Sequence, residues 1–154
     1  MVKKTIEVNP ILGVSGRQIN RYLKKNVVFR GCFASNNIPR FKTFPFSLII
    51  NTNTTDQRVD GHWVSLYISK NYCLFFDSFG VPVLEKNILN YVSKYHKKVI
   101  YSNVCIQAIE SVHCGLFCIS FIKNVRNKKT FNDFVNKFNF VNLILNDKIV
   151  YENI

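Results

Sequence analysis

The sequence predicts an α+β domain in which a small, mostly antiparallel sheet packs against helices. Short aromatic or β-branched segments bounded by polar turns indicate strands, and separate stretches of helical periodicity indicate helices. A third observation concerns the segment CGLFCISFI, which is apolar nearly all round. Such a segment is typical of a helix buried on several sides, so we expect it to form the central helix of the fold.

The length and composition fit a single domain over residues 1–154. A chain of 154 residues that is 47% hydrophobic can fill one core but not two. The N-terminus has no continuous apolar segment, and no stretch approaches the roughly 18 apolar residues of a membrane span. We therefore expect a soluble, intracellular monomer that does not enter a membrane. Five cysteines in such a protein predict reduced thiols rather than disulfides.

The first half of the chain predicts one helix followed by strands. In SGRQINRYLKKNV, Ser15 can cap a helix in which Ile19, Leu23 and Val27 recur at four-residue steps. We expect the Pro- and Asn-containing stretch GCFASNNIPRFKTFP to be a loop. Three strands are then predicted, by FSLIINT, HWVSLYIS and YCLFFDSFG.

The second half predicts further helices around one more strand. LEKNILNYVSKYH has one apolar face, to which Leu84 belongs, and indicates a helix; KVIYSNVCIQ indicates a strand. The central helix should run from Cys114 to about Val125, and TFNDFVNKFNF predicts a short helix after it. No element is assigned to the C-terminal NLILNDKIVYENI.

Two polar residues stand at the ends of predicted apolar strands. His62 precedes one strand and Asp77 follows the next, where an unpaired charge would be costly. If the two strands form a hairpin that turns near Lys70, Asp77 lies opposite Trp63 or a close neighbour. This places His62 and Asp77 near each other at one edge of the sheet, without proving a hydrogen bond.

Cys114 stands at the predicted N-terminus of the central helix. A thiolate there is stabilised by unpaired N–H groups and more strongly by a neighbouring imidazolium, which makes Cys114 a candidate nucleophile. His62 would then act as general base and acid, and Asp77 would orient it. Gln107 could donate a side-chain N–H to an oxyanion. Gly115 would let a substrate backbone come close.

These residues resemble the adenovirus-type cysteine proteases (adenain) and, more distantly, the SUMO and other ubiquitin-like-protein proteases of the same clan. The family order is His-Trp, an acidic residue after the next strand, Gln, and Cys-Gly, and the similarity covers most of Phe29 to Ile122. The resemblance implies the adenain-like fold and a cysteine endopeptidase that cleaves viral precursor polypeptides at Gly-containing sites during virion maturation. It would act in the host nucleus or cytoplasm, or packaged in the virion.

Some positions depart from the family pattern. Asp77 stands where adenain has Glu, as in the SUMO proteases, and His113 stands where relatives usually have a small or acidic residue. Adenain is activated by DNA and by a viral peptide linked through a cysteine. The nearest cysteine here, Cys105, does not fall at the matching spacing, which argues against a peptide activator linked in this way. A DNA activator is better supported, because the net charge of +12 favours it independently of the resemblance.

The formal net charge of +12 is spread through the chain. Such a surface attracts polyanions, which makes non-specific DNA a plausible partner. AT-rich codons explain the same composition, because Lys, Asn, Ile and Phe are all plentiful.

Each candidate residue also has a plain structural explanation. Cys114 alone would be read as a buried helical cysteine, and Cys118 is assigned to core packing. Cys114, Cys118 and His113 fall within zinc-ligand spacing, but no second pair stands at a matching interval, so no metal is expected. His96 and His113 are expected at the surface or in a supporting role. Trp63 fits a core position and a cleft position equally.

Two other functions stay open. A deSUMOylating or deubiquitinating protease would share the four residues and would also need a surface for a folded ubiquitin-like protein. A basic nucleic-acid-binding structural protein could retain an inactive protease fold, although the four residues are complete here.

Overall fold

A computed structural model describes residues 5–57 and 61–154 of the chain. Its elements, in chain order, are α1 (Gly16–Leu23), β1 (Phe29–Ala34), β2 (Phe46–Asn51), β3 (Trp63–Ile68), β4 (Cys73–Phe76), α2 (Lys86–Ser93), β5 (Val99–Tyr101), α3 (Cys114–Asn124), α4 (Lys128–Val135) and α5 (Leu143–Glu152). The predicted α+β class is confirmed.

The five strands form one sheet in the order β1-β2-β3-β4-β5. The two central pairings, β2 with β3 and β3 with β4, are antiparallel, whereas the edge pairings β1 with β2 and β4 with β5 are parallel. A parallel neighbour requires a crossover connection, and α2 lies in the connection between β4 and β5.

Both faces of the sheet are covered, so the central strands are buried along almost their whole length and are mostly apolar. One face packs against α3, whose residues 115–122 are all buried, as the sequence predicts for a central helix. On this face the rings of Phe76 and Phe121 stack with centroids 5.2 Å apart. The other face packs against α2. The first residues of α3 therefore lie beside the start of β3 and the end of β4.

Several boundaries differ from the prediction. Helix α1 ends at Leu23, so Val27 lies outside it and is exposed, and Leu84 is likewise exposed before the start of α2. Residues 31–34, predicted to be loop, belong to β1. Gly31 has a φ of +137° and the register shifts between Phe29 and Cys32, which breaks the alternation that would have indicated a strand.

The C-terminal segment without a predicted element forms α5. Its pattern departs from that of an ordinary amphipathic helix, because the polar Asn146 is fully buried beside Val150 while the apolar Ile144 is exposed. Within residues 5–57 and 61–154, none of the helices combines the length and hydropathy of a membrane-spanning segment.

Candidate active site

His62 and Asp77 meet at one edge of the sheet. The register pairs Ser65 with Phe76, so the next position along places Asp77 opposite Val64, close to the predicted register. His62 immediately precedes β3, and its Nε2 lies 2.8 Å from Oδ1 of Asp77. The structure thus contains the hydrogen bond that the sequence left undecided.

A tight turn after β4 holds the Asp77 carboxylate. Asp77 is 5% exposed, and its Oδ1 also accepts a hydrogen bond from the backbone N–H of Phe79 at 2.8 Å. The N–H of Gly80 donates to the Asp77 carbonyl at 2.9 Å, and Gly80 adopts a φ of +71°, a conformation that favours glycine. The Phe79 ring stacks on the His62 imidazole with centroids 4.8 Å apart. The turn therefore fixes both the partner and the plane of the histidine ring.

The imidazole of His62 also interacts with the Cys114 thiol. Because Asp77 engages Nε2, Nδ1 is the ring nitrogen left for the sulfur. Burial lowers the pKa of His62, but hydrogen bonds with Asp77 and Cys114, together with their charges, outweigh it and raise the pKa to about 9. His62 is therefore an imidazolium at neutral pH.

Cys114 is the first residue of α3, and His113 is the N-cap. Backbone N–H groups in the first turn of a helix have no intrahelical acceptor and carry the positive end of the helix dipole. Anionic sulfur or oxygen is stabilised at such a position. The geometry therefore suits a nucleophilic thiolate and an oxyanion that develops next to it.

Gly115 and Trp63 pack where α3 meets the segment that precedes α1. A Cβ at position 115 would overlap the Val14 side chain, and the indole Nε1 of Trp63 donates to the Val14 carbonyl at 3.1 Å. Close packing therefore explains the absence of a side chain at 115, and a substrate-binding role for Gly115 stays a prediction. Trp63 is half-buried and also lines a surface groove, and its substrate-binding role stays a prediction.

Gln107 is buried, and its side chain is oriented by two partners. Its Oε1 accepts from Ser78 Oγ, and its Nε2 donates to the Ser111 carbonyl at 2.8 Å. One amide hydrogen remains, and among the described residues the structure records no acceptor for it. Gln107 can therefore act as a donor of defined orientation.

The turn that holds Asp77 also holds Gln107. The Ser78 carbonyl accepts from the N–H groups of Ile106 and Gln107 at 2.9 and 3.1 Å. At Gly80, any Cβ would collide with the backbone of residues 104 and 105. A single turn, DSFG, therefore positions the carboxylate, the ring stacked on His62 and the amide.

At three of the other cysteines, burial disfavours the thiolate form. Burial raises the pKa of Cys32, Cys73 and Cys118, which disfavours their thiolates. Cys105 is half-buried, and its Sγ donates to the Gln107 carbonyl at 3.3 Å. Among residues 5–57 and 61–154, no group of three or more His, Cys, Asp or Glu side chains is arranged to hold a metal ion.

The remaining histidines lie apart from the His62–Asp77 pair. His96 Nε2 contacts the Ser69 carbonyl at 2.7 Å, at the other end of the hairpin. His113 Nδ1 lies 3.4 Å from Asp147 Oδ2 and 3.4 Å from Ser111 Oγ. Sequence reasoning did not find Asp147 or Ser111, because the former lies in the segment left unassigned and the latter in an irregular loop.

Two grooves border the site. One of about 620 Å³ lies between α1, β1 and the loop after β2 and reaches Trp63; its lining includes the side-chain amides of Asn20, Asn51 and Asn53. The other, of about 710 Å³, reaches His113 and is bordered by α5. Neither groove is lined by His62, Asp77, Gln107 or Cys114 themselves; the grooves reach only residues next to them in the chain.

Comparison with solved structures finds ten matching chains. One is the crystal structure of the ASFV pS273R protease, with 14% sequence identity and a TM-score of 0.50. The two chains share a fold. The match covers 96% of this chain and 66% of the ASFV pS273R protease, so about a third of that protease has no counterpart here. No protein-family model and no curated protein sequence matches the chain.

Proposed function

We propose that this chain is a cysteine peptidase in which Cys114 is the nucleophile, His62 the general base and acid, Asp77 the residue that orients His62, and Gln107 an oxyanion donor. One observation carries the proposal: a half-buried histidine bridges a buried carboxylate and a cysteine at the first position of a central helix. The fold shared with the ASFV pS273R protease supports a protease of the wider clan.

In the first half-reaction, the Cys114 thiolate attacks the carbonyl carbon of the scissile peptide bond. The carbonyl oxygen becomes an oxyanion, which accepts hydrogen bonds from the Gln107 side chain and the Cys114 backbone N–H. The His62 imidazolium then gives its proton to the leaving amine, and the C–N bond breaks. The products are a thioester on Cys114 and a free amine.

In the second half-reaction, the now neutral His62 takes a proton from water. The resulting hydroxide attacks the thioester, and the C–S bond breaks to release the carboxylic acid and the Cys114 thiolate. Asp77 remains ionised throughout and keeps the imidazole in place. The cycle thus returns His62 to its protonated state.

A more specific part of the proposal concerns the substrate. Adenain-like cleavage of viral precursor polypeptides at Gly-containing sites, in the host nucleus or cytoplasm or in the virion, rests on the resemblance of the HW, DSFG, Gln107 and CGLFC motifs. The fold is equally compatible with a protease of ubiquitin-like proteins.

The test is hydrolysis of internally quenched peptides that contain Gly-Gly sites, with and without duplex DNA. We expect wild-type protein to cleave at least one peptide and Cys114→Ser and His62→Ala to be reduced by about 10³-fold or more. Asp133→Asn, which removes an exposed carboxylate on α4, is the matched control and should keep wild-type activity.

One outcome would change the proposed substrate, and another would reject the proposed function. If ubiquitin-like proteins that carry a C-terminal vinyl sulfone label Cys114 while no short peptide is cleaved, the protein is a protease of ubiquitin-like conjugates. If neither peptides nor these probes react, the peptidase proposal is rejected.

A second function, non-specific DNA binding, is favoured by the net charge of +12. The expected signature is binding of labelled duplex DNA that weakens steeply between about 50 and 200 mM salt, because phosphate contacts release counterions. Absence of binding at about 50 mM salt would reject it. A peptide activator linked through Cys105 is less favoured, since that thiol donates to the protein's own backbone.

A further inference from the structure

Helix α5 contacts both ends of the irregular segment that contains Gln107. We call residues 106–113 the oxyanion segment, because it includes the amide donor and leads directly into Cys114. The segment forms neither helix nor strand. Its placement therefore depends on a few individual hydrogen bonds, from the backbone at Ser78 and from side chains, and not on a regular backbone ladder.

Asn146 of α5 holds the first end of the oxyanion segment. Its Nδ2 donates to the Ile106 carbonyl at 2.9 Å and to the Asn139 carbonyl at 2.6 Å, and its Oδ1 accepts from the Asn139 N–H at 2.8 Å. Both amide hydrogens and the oxygen of this fully buried side chain therefore have hydrogen-bond partners. The contact to Ile106 lies one residue before Gln107.

Asp147, the next residue of α5, holds the second end. Ser111 Oγ donates to Asp147 Oδ1 at 2.7 Å and accepts from the His113 N–H at 3.1 Å. The carbonyl of the same Ser111 accepts from Gln107 Nε2. Ser111 therefore joins the helix, the oxyanion donor and the residue before the nucleophile.

Stabilisation of an oxyanion requires that the Gln107 side chain be held in a defined orientation. Donors stabilise an oxyanion only when they are already aimed at the position where the charge develops. Ser78 fixes the oxygen of the Gln107 amide and Ser111 fixes its nitrogen. If Ser111 shifts, the remaining N–H of Gln107 turns away from the reacting carbonyl.

We propose that Asp147, acting through Ser111, is a positioning residue for the oxyanion donor, and that α5 is thereby part of the catalytic apparatus. This inference rests on the proposed peptidase function. Asn146 supports the other end of the segment, but its complete burial makes substitution there a test of folding. The Asp147 side chain is 21% exposed and can be changed with less risk than the fully buried Asn146.

The decisive comparison is between peptide hydrolysis and alkylation of Cys114. Iodoacetamide reacts with the thiolate without forming an oxyanion, so its rate does not depend on the oxyanion donor. Asp147→Ala should lower kcat by about 10- to 100-fold, less than removal of a donor outright, and should change KM and the alkylation rate by no more than about twofold.

Three variants and a control distinguish positioning from loss of structure. Asp147→Asn keeps an oxygen that can accept from Ser111 Oγ, so it should recover most of the kcat. Ser111→Ala breaks the same contact, so the double variant with Asp147→Ala should be no worse than the poorer single variant. Glu152→Gln removes an exposed carboxylate from the same helix and should match wild type.

A measurement independent of catalysis completes the test. The side-chain NH₂ resonances of Gln107, identified by their absence in Gln107→Ala, should shift and exchange faster with solvent in Asp147→Ala but not in Glu152→Gln. Unchanged resonances, or equal losses in hydrolysis and alkylation, would overturn the positioning role. If wild-type protein cleaves no substrate, the peptidase function fails, and the resonances still decide whether Asp147 orients Gln107.

Discussion

Substitution of Asp77 by Asn should lower the pKa of His62 and change how stability depends on pH. The His62 pKa rises from an ordinary value of 6.5 to about 9, largely through Asp77 and Cys114 acting against burial. At 1.36 kcal/mol per unit, a shift of about 2.5 units corresponds to about 3 kcal/mol of folding free energy. Asn at 77 keeps an oxygen for the Phe79 N–H, so the turn should survive while the charge is lost.

Proton linkage determines whether the free energy of unfolding rises or falls with pH. Because the folded-state pKa of His62 lies above its unfolded value, the charged ring stabilises the fold fully below about pH 6.5, and this stabilisation disappears as the pH rises through about 9. In wild-type protein, the free energy of unfolding should therefore fall by about 3 kcal/mol between these pH values through this group. In Asp77→Asn the fall should be much smaller, because only the interaction with Cys114 then opposes burial.

Urea unfolding at both pH values measures the effect. Other titrating groups cancel when the two proteins are compared, and Asp133→Asn on α4 serves as a control that should retain the wild-type dependence. Titration of the His62 ring by NMR gives the pKa directly. Equal pH dependence in wild-type protein and Asp77→Asn, or a His62 pKa near 6.5 in both, would refute the reasoning.

Three further predictions concern the same site. Gln107→Ala should reduce kcat by about 10²- to 10³-fold in the peptide assay and leave the alkylation rate of Cys114 unchanged; a parallel loss of both would contradict the oxyanion role. Gly115→Ala should destabilise the fold by about 1–3 kcal/mol in urea unfolding, because its Cβ would overlap Val14; wild-type stability would exclude the packing role. Peptide hydrolysis should decline as the pH rises through about 9, where His62 loses its proton; activity that rises across this range would rule out the imidazolium as acid.

The arrangement of the candidate site was more predictable from the sequence than the edge strand β1 and the C-terminal helix α5. His62 and Asp77 flank two strands joined by a short turn, and the hairpin register alone brings them together. The continuous apolar run after Cys114 indicated a central helix, and its first residue is the cysteine. Local patterns sufficed here because strand pairing and helix burial are directly encoded by hydrophobic periodicity.

The missed features depend on contacts between distant parts of the chain. Strand β1 was not predicted because the irregularity at Gly31 interrupts its pattern, and the parallel pairing of β1 with β2 becomes evident only in the assembled sheet. Helix α5 was not assigned because one of its two buried residues is Asn146, whose hydrogen-bond partners lie 7 and 40 positions away. Hydrophobic periodicity gives no signal for a helix held by buried polar contacts.

The most direct test of the proposed mechanism is iodoacetamide labelling at about pH 6, read by mass spectrometry. Wild-type protein should be labelled rapidly and selectively at Cys114, because burial keeps Cys32, Cys73 and Cys118 protonated. His62→Ala should lose this rapid reaction. Slow labelling spread over all five cysteines, or labelling of Cys114 that is equally fast without His62, would contradict the thiolate–imidazolium pair on which the mechanism depends.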